Sequence, residues 1–102
     1  KEEGRLLFVR TADIDWVEAY ANYVKIHAGT AVHIMRETMA SMERMLPHGK
    51  FARIHRSTIV NLDRVVEMKP WMSGDYDVLL STGARLKLSR SYRDRIEDRF
   101  IT

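Results

Sequence analysis

Apolar and polar residues alternate without a break from Tyr23 to Ala28, with Val24, Ile26 and Ala28 in one row and Tyr23, Lys25 and His27 in the other. A period of two marks a strand with one face on a core, here the valine-isoleucine face. Gly29-Thr30 then reads as a two-residue hairpin turn with glycine first, because glycine accepts the positive φ required there. Ala31–Met35 returns antiparallel in that reading, pairing Ala28 with Ala31, His27 with Val32 and Ile26 with His33. The two histidines then point to opposite faces, which argues against a metal site built from them. Short β-rich runs at Leu6–Arg10, Ile14–Ala19 and Tyr76–Ser81 predict further strands. Thr82-Gly83 is a second tight turn, followed by Ala84–Leu88 with Leu86 and Leu88 inward and Arg85 and Lys87 outward.

Around Arg36 the period lengthens. Met39, Met42, Met45 and Leu46 recur at spacings of three and four, which predicts a short amphipathic helix near residues 37–46, stopped by Pro47-His48-Gly49. Its methionines read as core packing against a sheet. A second helix is expected near residues 91–100, opened by the capping-box pattern Ser91-x-x-Asp94 and carrying Tyr92, Ile96 and Phe100 on one narrow apolar face. Val65–Lys69 leads into a loop at Pro70, Trp71 and Ser73-Gly74-Asp75, with Trp71 expected to cap the core. The elements add up to a mostly β domain with short helices.

With 102 residues the chain is expected to form one domain around a modest core. It has no apolar run of the ~20 residues needed to span a bilayer, and KEEGRLLF lacks the apolar stretch of a signal peptide, so a cytoplasmic location without membrane contact is expected. A start at Lys1 suggests a domain excised from a longer protein. Absence of cysteine removes disulfides, thiolate-zinc sites and thiol nucleophiles. The net charge of +3 is uneven: residues 1–49 hold six Lys/Arg against seven acids, and residues 50–102 hold eleven against seven. A positive field in the second half suits a polyanionic partner.

That field centres on Phe51–Asn61, FARIHRSTIVN, where Arg53, His55 and Arg56 fall within four positions, interleaved with the apolar anchors Phe51, Ile54, Ile59 and Val60. Arginine offers a planar fork that takes two acceptors, whether phosphate oxygens or the edge of guanine. Two strands joined by a solvated basic turn would explain the same composition. Arg90, between a strand and a helix start, is a second basic site without an evident neighbouring carboxylate partner. Catalysis finds little support. Ser57, His55 and Asp63 form the one candidate trio, and no nucleophile elbow, phosphate-binding glycine loop or metal motif accompanies them. The expectation is therefore a non-enzymatic protein that needs no cofactor or metal.

In FARIHRSTIVN the order Phe51, Arg53, His55, Arg56, Ser57, Ile59, Val60 and Asn61 resembles the hallmark of the LytTR family of bacterial DNA-binding domains. Ile14, Glu18, Ala19, Asn22, Tyr23 and Val24 upstream, and Gly83, Leu86, Leu88, Ser89, Arg90 and Tyr92 downstream, extend the likeness over nearly the whole chain. The resemblance implies an elongated arrangement of short antiparallel sheets that places loop residues in successive major grooves. It also implies a role as the output domain of a two-component response regulator, acting as a homodimer on paired sites in double-stranded DNA and often bending it. Carried over by position, base reading falls to Asn22, Tyr23 or Lys25 in a first loop, Arg56 in a second and Arg90 in a third. Arg53, Lys25, Ser57, Lys87 and Arg93 take phosphates, and His55, Asn61 and Ser89 support the loops. His55 is read as a core-facing hydrogen-bond donor, leaving Arg56 as the reader. The competing reading is a protein-interaction module that uses the basic face or the Met39-Met42-Met45 stripe.

Overall fold

The computed structural model describes residues 8–96. Eight strands form two antiparallel sheets: β1 (Trp16–Tyr20), β2 (Tyr23–Ala28), β3 (Ala31–Met35), β4 (Phe51–His55) and β5 (Thr58–Asn61) in the order β3-β2-β1-β5-β4, and β6 (Val65–Pro70), β7 (Tyr76–Leu80) and β8 (Arg85–Leu88) in chain order. Helices α1 (Met39–Met45) and α2 (Arg90–Ile96) complete a body of 46 × 24 × 23 Å. The predicted mostly β, elongated architecture is what forms.

The β2–β3 hairpin has the register read from the sequence, Ala28 against Ala31, His27 against Val32 and Ile26 against His33, with Gly29 at φ 63°. Val17, Val24, Ile26 and Ile59 give one face of the large sheet, and Met39 and Met42 of α1, with Leu46 just after it, cover that face. Thr38 caps that helix, its Oγ1 accepting from the Ser41 amide at 3.0 Å. The opposite face of β4 and β5, through Ala52, Ile54 and Val60, packs on Val78, Leu80, Leu86 and Leu88 of the small sheet and on Ile96 of α2. Each fully buried aliphatic side chain contributes about 1.5–3 kcal/mol. The two sheets are thereby clamped along β4.

Four expectations change. Phe8–Arg10 is not a strand: Phe8 is almost fully exposed, and the chain enters β1 through a single 3-10 turn at Thr11–Asp13; Leu6 and Leu7 lie outside the described residues. Met45 is exposed, because one turn of helix after Met42 the inward position is taken by Leu46. Trp71 does not cap the core; it is 56% exposed in the β6–β7 loop. Helix α2 begins at Arg90, with the Tyr92 and Arg93 amides bonded to the Ser89 carbonyl, so Ser89, not Ser91, holds the capping position. Phe100 of the expected second helix lies outside the described residues.

Candidate nucleic-acid interface

Strand β1 is antiparallel to both β2 and β5, so the two-residue tips Ala21-Asn22 and Arg56-Ser57 leave the large sheet at the same end. A bond from the Ala19 amide to the Ser57 carbonyl, 2.9 Å, joins them. Two strand spacings separate the tips, about 10 Å. The Ser89 amide bonds the Ile54 carbonyl at 2.8 Å, bringing the β8–α2 junction beside the second tip. Three segments far apart in sequence therefore line one end of the molecule, carrying Asn22, Arg56 and Arg90.

At the first tip Ala21 has φ 55°, a left-handed conformation that costs a side-chain-bearing residue ~1–2 kcal/mol. Ala21→Gly is expected to raise stability by roughly 0.5–1 kcal/mol in urea unfolding, since the strain that glycine relieves outweighs the greater unfolded-state entropy that it brings. Asn22 and Tyr23 are exposed here. Lys25 sits further back, its ammonium 4.1 Å from the centre of the Tyr20 ring. Arg36 lies over the Tyr23 ring at 5.9 Å. Arg36 is no candidate in the sequence, although the β2–β3 register, extended by one residue past Met35, sets it opposite Tyr23.

The second tip follows a β-bulge. Pairing slips between Arg53 and His55, so that His55 stands opposite Thr58 on the face shared with Val60, whereas unbroken alternation would have left it with Phe51 and Arg53. There it comes under the influence of Lys87 on β8 and of Asp75 just before β7. The Ser57 amide donates to His55 Nδ1 at 3.2 Å, with Ser57 Oγ at 2.9 Å from the same nitrogen. Nδ1 is therefore an acceptor, and His55 holds the turn by accepting a bond instead of donating one, with its proton on Nε2. Burial first, then the Arg56 and Lys87 cations, push its pKa below 6.5. The folded chain resists a proton that the unfolded chain accepts, so stability falls as pH drops through about 6.5. The melting-temperature advantage of the wild type over His55→Gln is expected to shrink between about pH 7.5 and pH 5.

Arg53 points inward, its donors engaged by Glu43 and by the Arg56 carbonyl. Asn61 is buried at the far end of β5, its amide bonded to the Ile14 carbonyl and its oxygen accepting from the Asp63 amide. Both hold the fold locally. The Arg56 guanidinium has no protein partner among the described residues.

In the third segment Asp75 organises the cations. Its Oδ1 accepts from the Arg90 amide at 2.9 Å, and Lys87 Nζ lies 4.0 Å from Oδ2. Gly74, at φ 85°, lets the Arg90 stem pass: a Cβ there would come within 2.8 Å of Arg90 Cδ. Arg93 donates to the Gly74 carbonyl at 3.3 Å, and Ser89 and Ser91 share a hydroxyl contact of 3.2 Å. The supporting roles of Gly74 and Asp75 carry no signal in a segment that reads as plain loop. The same loop leaves Trp71 and Met72 exposed.

The sequence and the fold have counterparts. The sequence pattern of the LytTr DNA-binding domain matches residues 4–100. The chain belongs to the LytTr DNA-binding domain family. It is 33% identical over 90 residues to the sensory transduction protein LytT of Enterococcus faecalis, covering 88% of this chain and 37% of that protein. Over 95 residues it is 26% identical to LytT of Bacillus anthracis, covering 93% and 39%. It is also 24% identical over 90 residues to the transcriptional regulatory protein LytR of Staphylococcus aureus strain MW2, covering 88% and 37%. The chain thus spans under two fifths of the length of these relatives. A LytTr DNA-binding domain from Bacillus cereus has the same fold, with a TM-score of 0.87 at 22% identity over 96% of this chain and 90% of that one. Family membership makes this chain a LytTr DNA-binding domain.

Proposed function

We propose that this domain reads double-stranded DNA in a sequence-specific way as the output domain of a bacterial response regulator. The observation that carries the reading is the single row of three loops, in which the exposed Arg56 and Arg90 guanidinia have no protein partner among the described residues. Side chains held on a rigid frame with unspent donors are what major-groove readout requires. Arg56 and Arg90 read guanines, and Asn22, Tyr23 and Lys25 serve the first loop. Ser57, Lys87, Ser89, Arg93 and the Nε2–H of His55 meet phosphates, with Arg36 added from the structure. Successive loops enter successive major grooves. The regulator acts in the cytoplasm as a homodimer on paired sites, and among the described residues no helix is long and apolar enough to cross a membrane. The reading is of a binding domain without an enzymatic step.

A methionine-based docking function has less support, since Met39 and Met42 are buried in the core and Met45 alone is exposed. The test is enrichment of a randomised duplex pool on the domain, with sequencing. A short motif, paired at about one helical turn, is expected. With ~6 phosphates neutralised, affinity should fall with a log-log salt slope of about −5. Binding without any motif, vanishing as salt rises, would refute sequence reading by this domain.

A further inference from the structure

Arg53 lies between β4 and the two helices with only 17% of its side chain exposed. Its Nη1 reaches Glu43 Oε1 on α1 at 3.3 Å, and its Nη2 donates to the backbone carbonyl of Arg56. The guanidinium also lies 5.7 Å from the centre of the Tyr92 ring of α2. Glu43 uses its other oxygen on α2, where Arg95 Nη2 stands at 3.5 Å and itself stacks on Tyr92 at 4.6 Å. Glu43 thus ties α1, β4 and α2 together. The third nitrogen of Arg53, Nε, is buried without a hydrogen-bond partner among the described residues. Among the described residues the guanidinium plane is therefore hydrogen-bonded to Glu43 and the Arg56 carbonyl, with the Tyr92 ring beside it, and a buried unpaired donor gives it reason to rotate once either bond is lost.

We infer that Glu43 is a positioning residue for base reading: through Arg53 it fixes the peptide plane that follows Arg56, and with it the direction in which the Arg56 side chain leaves the β4–β5 turn. Arg53 is the intermediary, and neither residue touches DNA. The charge on Glu43 matters because it faces two arginines; a neutral amide would turn its NH2 toward one of them. The inference rests on Arg56 reading a base.

The experiment measures discrimination by the whole domain between the enriched duplex and duplexes changed singly at two base pairs. One is the pair relaxed by Arg56→Ala, the other the pair relaxed by Arg90→Ala. Amide exchange at Ser57, inside the turn, is followed in parallel. Glu43→Gln is expected to lower discrimination at the Arg56 pair about three- to tenfold while leaving the Arg90 pair within about twofold. Exchange at Ser57 should quicken. Glu43→Asp, which keeps the charge but withdraws it by one methylene, gives a smaller loss at the same pair. Added to Arg56→Ala, Glu43→Gln causes no further loss there, and Arg44→Ala on the same helix changes neither pair. Equal loss at both pairs, or no loss at either in a folded variant, would overturn the inference. If Arg56→Ala relaxes no base pair, base reading by Arg56 has failed; unchanged Ser57 exchange in Glu43→Gln would then refute the tether separately.

Discussion

Arg56→Ala is expected to cost about 1–3 kcal/mol of discrimination at one base pair of the operator while changing the salt slope by no more than about 1. The exposed Arg56 guanidinium has no hydrogen-bond or ion-pair partner among the described residues, so truncation leaves no buried group unsatisfied and no fold-stabilising bond broken. The melting temperature should stay near that of the wild type. Arg56→Lys should be nearly as poor a reader as the alanine variant, because a single ammonium cannot reproduce the two-pronged fork. Lys87→Ala is the contrast: a phosphate ligand supplies affinity without sequence information, so its loss weakens binding to all duplexes alike. Competition titrations against singly substituted duplexes separate the two outcomes. Uniform weakening by Arg56→Ala would reassign Arg56 to the phosphates.

The sequence carries the hairpins better than it carries the interface. Alternation from Val24 to Ala28, with glycine at the turn, was enough to set the β2–β3 register, because a one-residue slip would have thrown Val24 and Ile26 out of the core. Leu86 and Leu88 were equally legible. The bulge before His55 was not: the extra residue is Ile54, an apolar side chain that fits either an alternating or a slipped strand, so nothing in the pattern shows His55 changing face. Helix ends misled for a related reason. Ser89 and Ser91 are both competent caps, and the choice was made by the bond from the Ser89 amide to Ile54 in another sheet. Arg53 looked like a phosphate ligand because its composition is that of one; only the tertiary placement of Glu43 turns it inward. The exposed cations Arg56 and Arg90 could be nominated from the chain, whereas the carboxylates that organise their surroundings, Glu43 and Asp75, could not.

Arg64→Met is expected to be the most damaging substitution away from the loops. Asp15 is 5% exposed at the start of the large sheet; its Oδ1 takes Arg64 Nε at 2.7 Å and its Oδ2 takes the Gly29 amide at 2.8 Å. Arg64 also donates to the Ala12 carbonyl at 2.7 Å, and its own carbonyl accepts from the Ser81 amide at the end of β7. One ion pair thus closes the β2–β3 hairpin onto the segment that links the two sheets. Removing one member of a buried pair costs ~3–5 kcal/mol because the other is left charged and desolvated. The Arg64 side chain is 27% exposed, so water can partly replace it, and about 2–3 kcal/mol is the expected loss in urea unfolding. Asp15→Asn added to Arg64→Met should recover part of that loss by removing the stranded charge. A cost below about 1 kcal/mol, or no recovery in the double variant, would mean that Asp15 is not dependent on Arg64. Specific DNA affinity should fall with stability here, unlike in Arg56→Ala, because Arg90 starts α2 just after β8 of the small sheet and Asn22 lies in the β1–β2 turn of the large one. The Asp15–Arg64 bond helps hold those two frames at a fixed separation, and a duplex read by both loops tests that separation directly.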